Sequence, residues 1–269
     1  SYNASGTYGS GTQVGSSGWF CIYNATGSSV TVSGLSPNTT YRIMAIEYNG
    51  TAGKEKYNTN TAANNPVNQT TDYAVPTTQA SNISFSTNTD SSFTAGWTSG
   101  NGTMRAVFIK AGNTGNPSPL SNTTYSANTR YGNGSQISTS GWYCVYNGTG
   151  TSVSIEGLSA NTTYRLMVCD YNGTTGLEKY NTSTATGNPN NQTTDYAIPA
   201  TQALGISFSN VTATSFRTAW TNGNGTSRAV FIKAGTSGSA VPVNNNSYTA
   251  DTVYSLGAQI GTTGWYCVY

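Results

Sequence analysis

Histidine is missing from all 269 residues, and only 11 basic and 9 acidic side chains are present. Without imidazole the chain lacks the commonest general base, the usual metal ligand and every Ser–His or Cys–His nucleophile pair. Charged residues are 7% of the total and the net charge is +2, too weak a field to steer nucleic acid or an anionic membrane. No apolar run approaches the roughly 18 residues of a membrane-crossing helix. The opening SYNASGTYGS has neither the basic nor the apolar region of a signal peptide, so the chain reads as a mature or excerpted segment. The four cysteines form no C-x-x-C, no D-x-D-x-D-G calcium loop occurs, and nine scattered acids define no glycosidase pair. The expectation is a protein that is not an enzyme, with no cofactor, no catalytic or metal site, no nucleic-acid partner and no membrane span.

Asn, Ser, Thr and Gly fill more than half of the chain, a composition that can mean disorder. The 12% aromatic content, with 19 Tyr, argues for a core instead. These rings fall in alternating runs such as RAVFIKAG.

The phrase GWFCIY (18–23) returns as GWYCVY at 141–146 and again at 264–269. Trp19, Trp142 and Trp265 are 123 residues apart each time, and the spacing holds without insertion or deletion. Residues 1–123 and 124–246 are identical at about 60% of positions, and 247–269 begin a third copy. A unit of 123 residues is too long for a helical solenoid repeat and has the size of an independent domain.

Within a unit the apolar period is 2. ISFS (83–86), SFTAGW (92–97), RAVFIKAG (105–112), GWYCVY, TSVSIEGL (151–158) and TTYRLMVCDYNG (162–173) predict short strands, punctuated by Gly-, Asn- and Pro-rich turns. An all-β sandwich or barrel follows. The polar, proline-bearing NQTTDYAVPTTQ (68–79) and NQTTDYAIPATQ (191–202) are the linkers. The expected domains are therefore 1–73, the C-terminal part of one repeat; 74–196, a complete repeat; and 197–269, the N-terminal part of the next. The end of the chain inside a predicted strand is expected to be a window onto a longer periodic array. Completion of one chain's head by another chain's tail would leave two copies of the GWYCVY strand in competition.

GLSPNTTYRIMAIEYNG (34–50) and GLSANTTYRLMVCDYNG (157–173) resemble the E–F corner of a fibronectin type III domain. In that pattern a Leu plugs the core and a Tyr soon after bonds back to backbone. Leu35 with Tyr41, and Leu158 with Tyr164, fit those roles; Trp97 and Trp220 fit the core tryptophan of the second strand. The fuller phrase from Trp97 to Val153 resembles a longer variety found in tandem in secreted bacterial surface and adhesin-like proteins. That resemblance implies an immunoglobulin-like β-sandwich array, extracellular or at the cell surface, without catalytic residues. The stretch 113–140 and the cysteines lie outside the general pattern.

Seventeen N-x-S/T sequons are present. Six recur at one repeat position: Asn24/Asn147, Asn38/Asn161, Asn49/Asn172, Asn68/Asn191, Asn101/Asn224 and Asn122/Asn245. Most fall in predicted turns, where a covalent glycan points outward and would solubilise a chain poor in charge; the same residues also serve simply as turn formers. Cys21, Cys144 and Cys267 share one repeat position, whereas Cys169 replaces Ile46. They read as small buried hydrophobes, with a Cys144–Cys169 disulfide or an interchain cross-link as alternatives. Arg42/Arg165, Glu47/Asp170, Glu55-Lys56, Glu178-Lys179, Arg105/Arg228 and Lys110/Lys233 read as solvated faces and edge protection, or as charges matched at a repeat–repeat contact.

Two functions remain. One is a structural surface stalk, fibre or filament, a glycoprotein whose partners are neighbouring copies of the same repeat. The other is an adhesin or carbohydrate-binding repeat attached to a larger secreted protein, with tyrosine faces for sugars.

Overall fold

The alternating runs become sixteen strands, and the computed structural model, which describes residues 1–269, contains no helix long and apolar enough to cross a membrane. The chain divides into two compact units, Ser1–Tyr196 and Ala197–Tyr269. In the first unit, β1 (Thr40–Ile43) pairs with β4 (Val67–Thr70), and β2 (Tyr48–Asn49) pairs with β3 (Lys56–Tyr57). No strand pair joins these to the strands that follow, although the division expected at 73/74 falls inside this unit.

Next come β5 (Ser81–Ser86), β6 (Ser92–Thr98), β7 (Met104–Ala111), β8 (Tyr143–Gly148), β9 (Ser152–Glu156), β10 (Thr163–Asn172), β11 (Lys179–Tyr180) and β12 (Asn190–Thr193). They make two antiparallel sheets. One has the order β5-β6-β9; the other has the order β11-β10-β7-β8, with β12 also on β10. This is an immunoglobulin-like β-sandwich of the fibronectin type III kind. The first core lies between the sheets: Ile83, Phe93, Trp97, Val153 and Ile155 from one, Val107, Ile109, Leu166 and Val168 from the other. Each is buried, and burying such a side chain contributes about 1.5–3 kcal/mol.

The period of 2 expected for RAVFIKAG and TTYRLMVCDYNG is not kept in β7 and β10, which are buried at both parities, and the stretch 113–142 is the reason. It crosses the other face of the larger sheet and builds a second core. Tyr125, Ile137 and Trp142 cover Ala106, Phe108, Cys144, Met167, Cys169, Tyr171 and Tyr180. A strand buried on both faces is apolar at both parities. The return of the stretch is pinned at β8, where Gly134 is pressed against the Cys144 carbonyl: a Cβ on Gly134 would lie 1.9 Å from that oxygen. Gly11 stands against Cys21 and Gly257 against Cys267 in the same way. The GWYCVY phrase is therefore the seam where the covering stretch joins its sheet.

In the second unit, β13 (Leu204–Ser209) pairs with β14 (Arg217–Thr221), and β15 (Phe231–Ile232) pairs with β16 (Tyr266–Cys267).

Two expectations are corrected here. Asp170 and Arg105 are not on a solvated face: they are 0% and 8% exposed and sit opposite one another on β10 and β7. Glu178 is buried as well, and its carboxylate accepts the Thr124 hydroxyl from the covering stretch. The causes differ: Asp170 and Arg105 share the parity of Val168 and Val107, which face the other sheet, whereas Glu178 is held by the covering stretch. The Cys144–Cys169 disulfide is not formed, and both thiols are free. β7 runs between their strands, pairing Phe108 with Cys144 and Ala106 with Cys169. Two interstrand spacings, roughly 9–10 Å, exceed the ~7 Å reach of a disulfide between Cα atoms.

Candidate functional site

β10 carries the chain's way in at one end and its way out at the other. Near the C-terminal end, Asn172 donates from Nδ2 to the Ala74 carbonyl at 2.9 Å, and Asn181 donates to Pro76 O at 2.9 Å. Lys179 Nζ lies 2.8 Å from Asp72 Oδ2. Asn101 accepts the Thr78 N–H on Oδ1 and donates to the Thr77 hydroxyl, both at 2.9 Å. The incoming linker 72–78 is thus seated in a polar socket made by the β10–β11 turn and the loop after β6.

At the N-terminal end of β10, Thr163 pairs with Thr193, and the Asn161 N–H donates to Asp195 O at 2.9 Å. Asn88 donates to Thr193 O and to Asp195 Oδ1 at 3.1 and 2.7 Å. The two sockets are separated by the ten residues of β10, roughly 30 Å of extended chain.

The junction is shared by both neighbours. The Asp72 carbonyl accepts the Asn38 N–H of the first repeat at 2.9 Å, as Asp195 accepts from Asn161. The Asp72 carboxylate, 70% exposed, meets Lys179 of the next repeat. An ion pair this exposed contributes at most about 1 kcal/mol, so the junction is defined mainly by the side-chain amides of Asn101, Asn172 and Asn181 on the linker backbone.

Behind the incoming socket is the buried ion pair. Arg105 Nε lies 3.2 Å from Asp170 Oδ1, and the guanidinium also donates to Thr149 O and Gly102 O. Asp170 Oδ2 accepts the Gly100 N–H at 3.2 Å. Burial raises the Asp170 carboxyl above its ordinary range although Arg105 pulls it down. Gln79 ties this pair to the linker: its Oε1 accepts Asp170 N–H at 2.8 Å, and its Nε2 donates to Asn181 O and Ser183 O. Sequence reading missed this network because most of its partners lie between 44 and 104 positions apart.

Leu158 is in the first core, and the Tyr164 hydroxyl accepts Ser159 N–H at 2.9 Å; Tyr41 accepts Ser36 N–H at 2.9 Å next to half-buried Leu35. Trp97 is in the first core, and Trp220 is half-buried on β14. A further corner was not anticipated. Tyr125 accepts Leu120 N–H at 3.0 Å inside the covering stretch. Its signal was legible, since N-T-T-Y occurs at 122–125 as at 38–41 and 161–164.

The Asn positions separate by what their amides do. Asn147 donates to Tyr125 O at 3.0 Å and accepts the Tyr171 hydroxyl at 2.5 Å; Asn24 has the same partners one repeat earlier, Tyr2 and Tyr48. Asn172, Asn101 and Asn224 hold linker backbone, while Asn68 and Asn191 accept from Arg42 and Arg165. Asn49 is exposed. Asn38, Asn122, Asn161 and Asn245 occupy left-handed corner positions, with φ of 47, 61, 46 and 61°, and their side chains are exposed with no hydrogen-bond partner.

Cys144 and Cys169 are fully buried, and burial pushes Cys144 up to about 12 and Cys169 higher still. Cys267 is 1% exposed and Cys21 is half-buried. No three Cys, Asp or Glu side chains converge on a point that could hold a metal ion. In the complete sandwich Tyr125, Tyr164, Tyr171 and Tyr180 are buried, so these rings present no face to a sugar.

No family model and no curated protein matches the chain. Among solved structures it is similar to the FN3 domain of human collagen XX, with 18% identity, 41% of this chain and 96% of that chain covered, and a TM-score of 0.24. It is also similar to a two-domain fibronectin type III segment from chicken tenascin, with 14% identity, 58% and 70% covered, and a TM-score of 0.27. A third similarity is to domains d3–d4 of the rat CD45 extracellular region, with 17% identity, 68% and 86% covered, and a TM-score of 0.30.

Proposed function

We propose that the chain is a structural extracellular repeat protein whose sandwiches join end to end into a surface stalk, fibre or filament. The observation that carries this reading is the placement of the two linker sockets at opposite ends of β10. A repeat entered at one end and left at the other advances along its own long axis. Copies joined through equal junctions then form a linear array. The contacts of Asp72 with Asn38 and Lys179, and of the linker with Asn101, Asn172 and Asn181, support a junction without a flexible spacer.

Solubility of such an array comes from outside the charged residues. Covalent glycans at the corner asparagines Asn38, Asn122, Asn161 and Asn245 would supply it, because these amides are exposed and unengaged.

Electron microscopy of particles bearing several repeats tests the reading. Rods whose length grows by a constant increment per repeat support it; sandwiches folded back side by side overturn it.

A further inference from the structure

The covering stretch carries a reactive pair of residues. The complete sandwich holds four Asn–Gly pairs, at 101–102, 133–134, 147–148 and 172–173. Such a pair is open to loss of its side-chain amide, because glycine has no Cβ to shield its backbone nitrogen from the side-chain carbonyl carbon before it. In a folded chain the reaction depends on what holds that amide.

Three of the four amides are held at both ends. Asn101 accepts the Thr78 N–H and donates to the Thr77 hydroxyl. Asn147 donates to Tyr125 O and accepts the Tyr171 hydroxyl. Asn172 accepts the Thr103 N–H and donates to Ala74 O. Asn133 differs. Its side chain is exposed and makes no hydrogen bond, and the N–H of Gly134 has no acceptor either. Its own N–H donates to Arg130 O at 3.2 Å in a turn.

The backbone that follows has no slack. Ser135 N–H donates to Ser126 O at 2.8 Å, Cys144 N–H to Ser135 O at 2.9 Å, and Asn128 N–H to Cys144 O at 3.1 Å. Gly134 is pressed between these bonds, with the Cys144 carbonyl 1.9 Å from where its Cβ would be.

We propose that Asn133 is a site of spontaneous deamidation, and that the isoaspartate formed there loosens the covering stretch from its sheet. The Gly134 nitrogen attacks Cγ of Asn133. A new N–Cγ bond closes a succinimide ring, the Cγ–Nδ2 bond breaks, and the side-chain nitrogen leaves as ammonia with the proton of the Gly134 N–H. Water then opens the ring at one of its two carbonyls. Opening at one gives an aspartate. Opening at the other routes the chain through the former side chain, as an isoaspartate with one extra methylene in the backbone. That methylene falls beside Gly134, where the bonds to Ser126 and Cys144 cannot all be kept.

The chemistry is confined to one copy of the repeat. The equivalent positions are Ser10 and Leu256, each followed by an equally pressed glycine, Gly11 and Gly257. The seam therefore needs the glycine and tolerates different residues before it, so Asn133→Ser is a substitution that the fold already accommodates.

The test is peptide mapping of the 269-residue chain made without N-glycans, since all four asparagines stand in N-G-S/T and a glycan would occupy the reacting nitrogen. The chain is aged with warming at mildly alkaline pH, folded and in urea. In the folded chain Asn133 should convert at least about tenfold faster than Asn101, Asn147 and Asn172, each of which must first give up two hydrogen bonds. In urea the four should convert at comparable rates. The aged chain should unfold at a lower urea midpoint and exchange amide hydrogens faster across 124–142, and the aged Asn133→Ser chain should do neither. Conversion at Asn133 no faster than at the other three, or an isoaspartate form that unfolds like the fresh chain, overturns the proposal. Neither result bears on the end-to-end reading, because Asn133 belongs to neither linker socket.

Discussion

The hydroxyl of Tyr164 accepts the backbone N–H of Ser159 at 2.9 Å, closing the loop between β9 and β10. The ring is 2% exposed and packs edge-on against Phe93 and Tyr131. One residue thus joins the inter-sheet core to the exit corner, where Asn161 holds Asp195. Tyr164→Phe keeps the ring and removes the bond. It should destabilise the central sandwich by about 1–2 kcal/mol, read as a lower urea midpoint with unchanged slope.

The covering stretch is expected to be an integral part of the fold. Trp142 is 3% exposed in the second core. Trp142→Ala should cost about 3–5 kcal/mol, as much as a substitution between the sheets. A loss under 1 kcal/mol in equilibrium unfolding would show that the stretch merely lies on the surface.

The buried ion pair gives a pH signature. The folded state holds Asp170 above its ordinary 3.8, so folding favours the protonated form there. Its contribution to stability is therefore full below pH 3.8 and declines as pH rises through the raised value. Asp170→Asn should abolish this slope in the difference between the two proteins. It should also cost about 3–5 kcal/mol at neutral pH, because Arg105 is left buried without its partner. Urea unfolding from pH 3.5 to 7 measures both.

The thiols should be quiet. Denatured, unreduced protein is expected to show all four thiols to a chromogenic reagent, and the native protein only Cys21 promptly. Because burial moves Cys144 from 9.0 to about 12, its contribution is full below pH 9 and is lost between pH 9 and 12. Cys144→Ala should remove that part of the alkaline loss. Detection of only two thiols in the denatured sample would contradict the separation imposed by β7.

Much of the fold was legible in the sequence, for a physical reason. Between two sheets one face of each strand is dry, and SFTAGW or TSVSIEGL records that at period 2. RAVFIK and RLMVC do not alternate, and that irregularity was the available sign of a second covered face. It was obscured because the covering stretch is made of turn residues with only a few large rings. The linker sockets were less accessible still. Asn172, Asn181 and Lys179 look like ordinary turn residues, and what they hold lies about 100 positions away.

Glycan mapping by mass spectrometry of native material should find modification at the corner positions, Asn122 and Asn161 foremost, and not at Asn147. The amide of Asn147 is fully engaged between Tyr125 and Tyr171.

The claim on which the account depends is that each repeat is entered and left at opposite ends. Cryo-electron microscopy of the assembled protein tests it most directly. The account predicts straight filaments with one sandwich every roughly 30–40 Å, the length of β10 plus a short linker. Sandwiches packed side by side, or joined without a constant axial spacing, would contradict it.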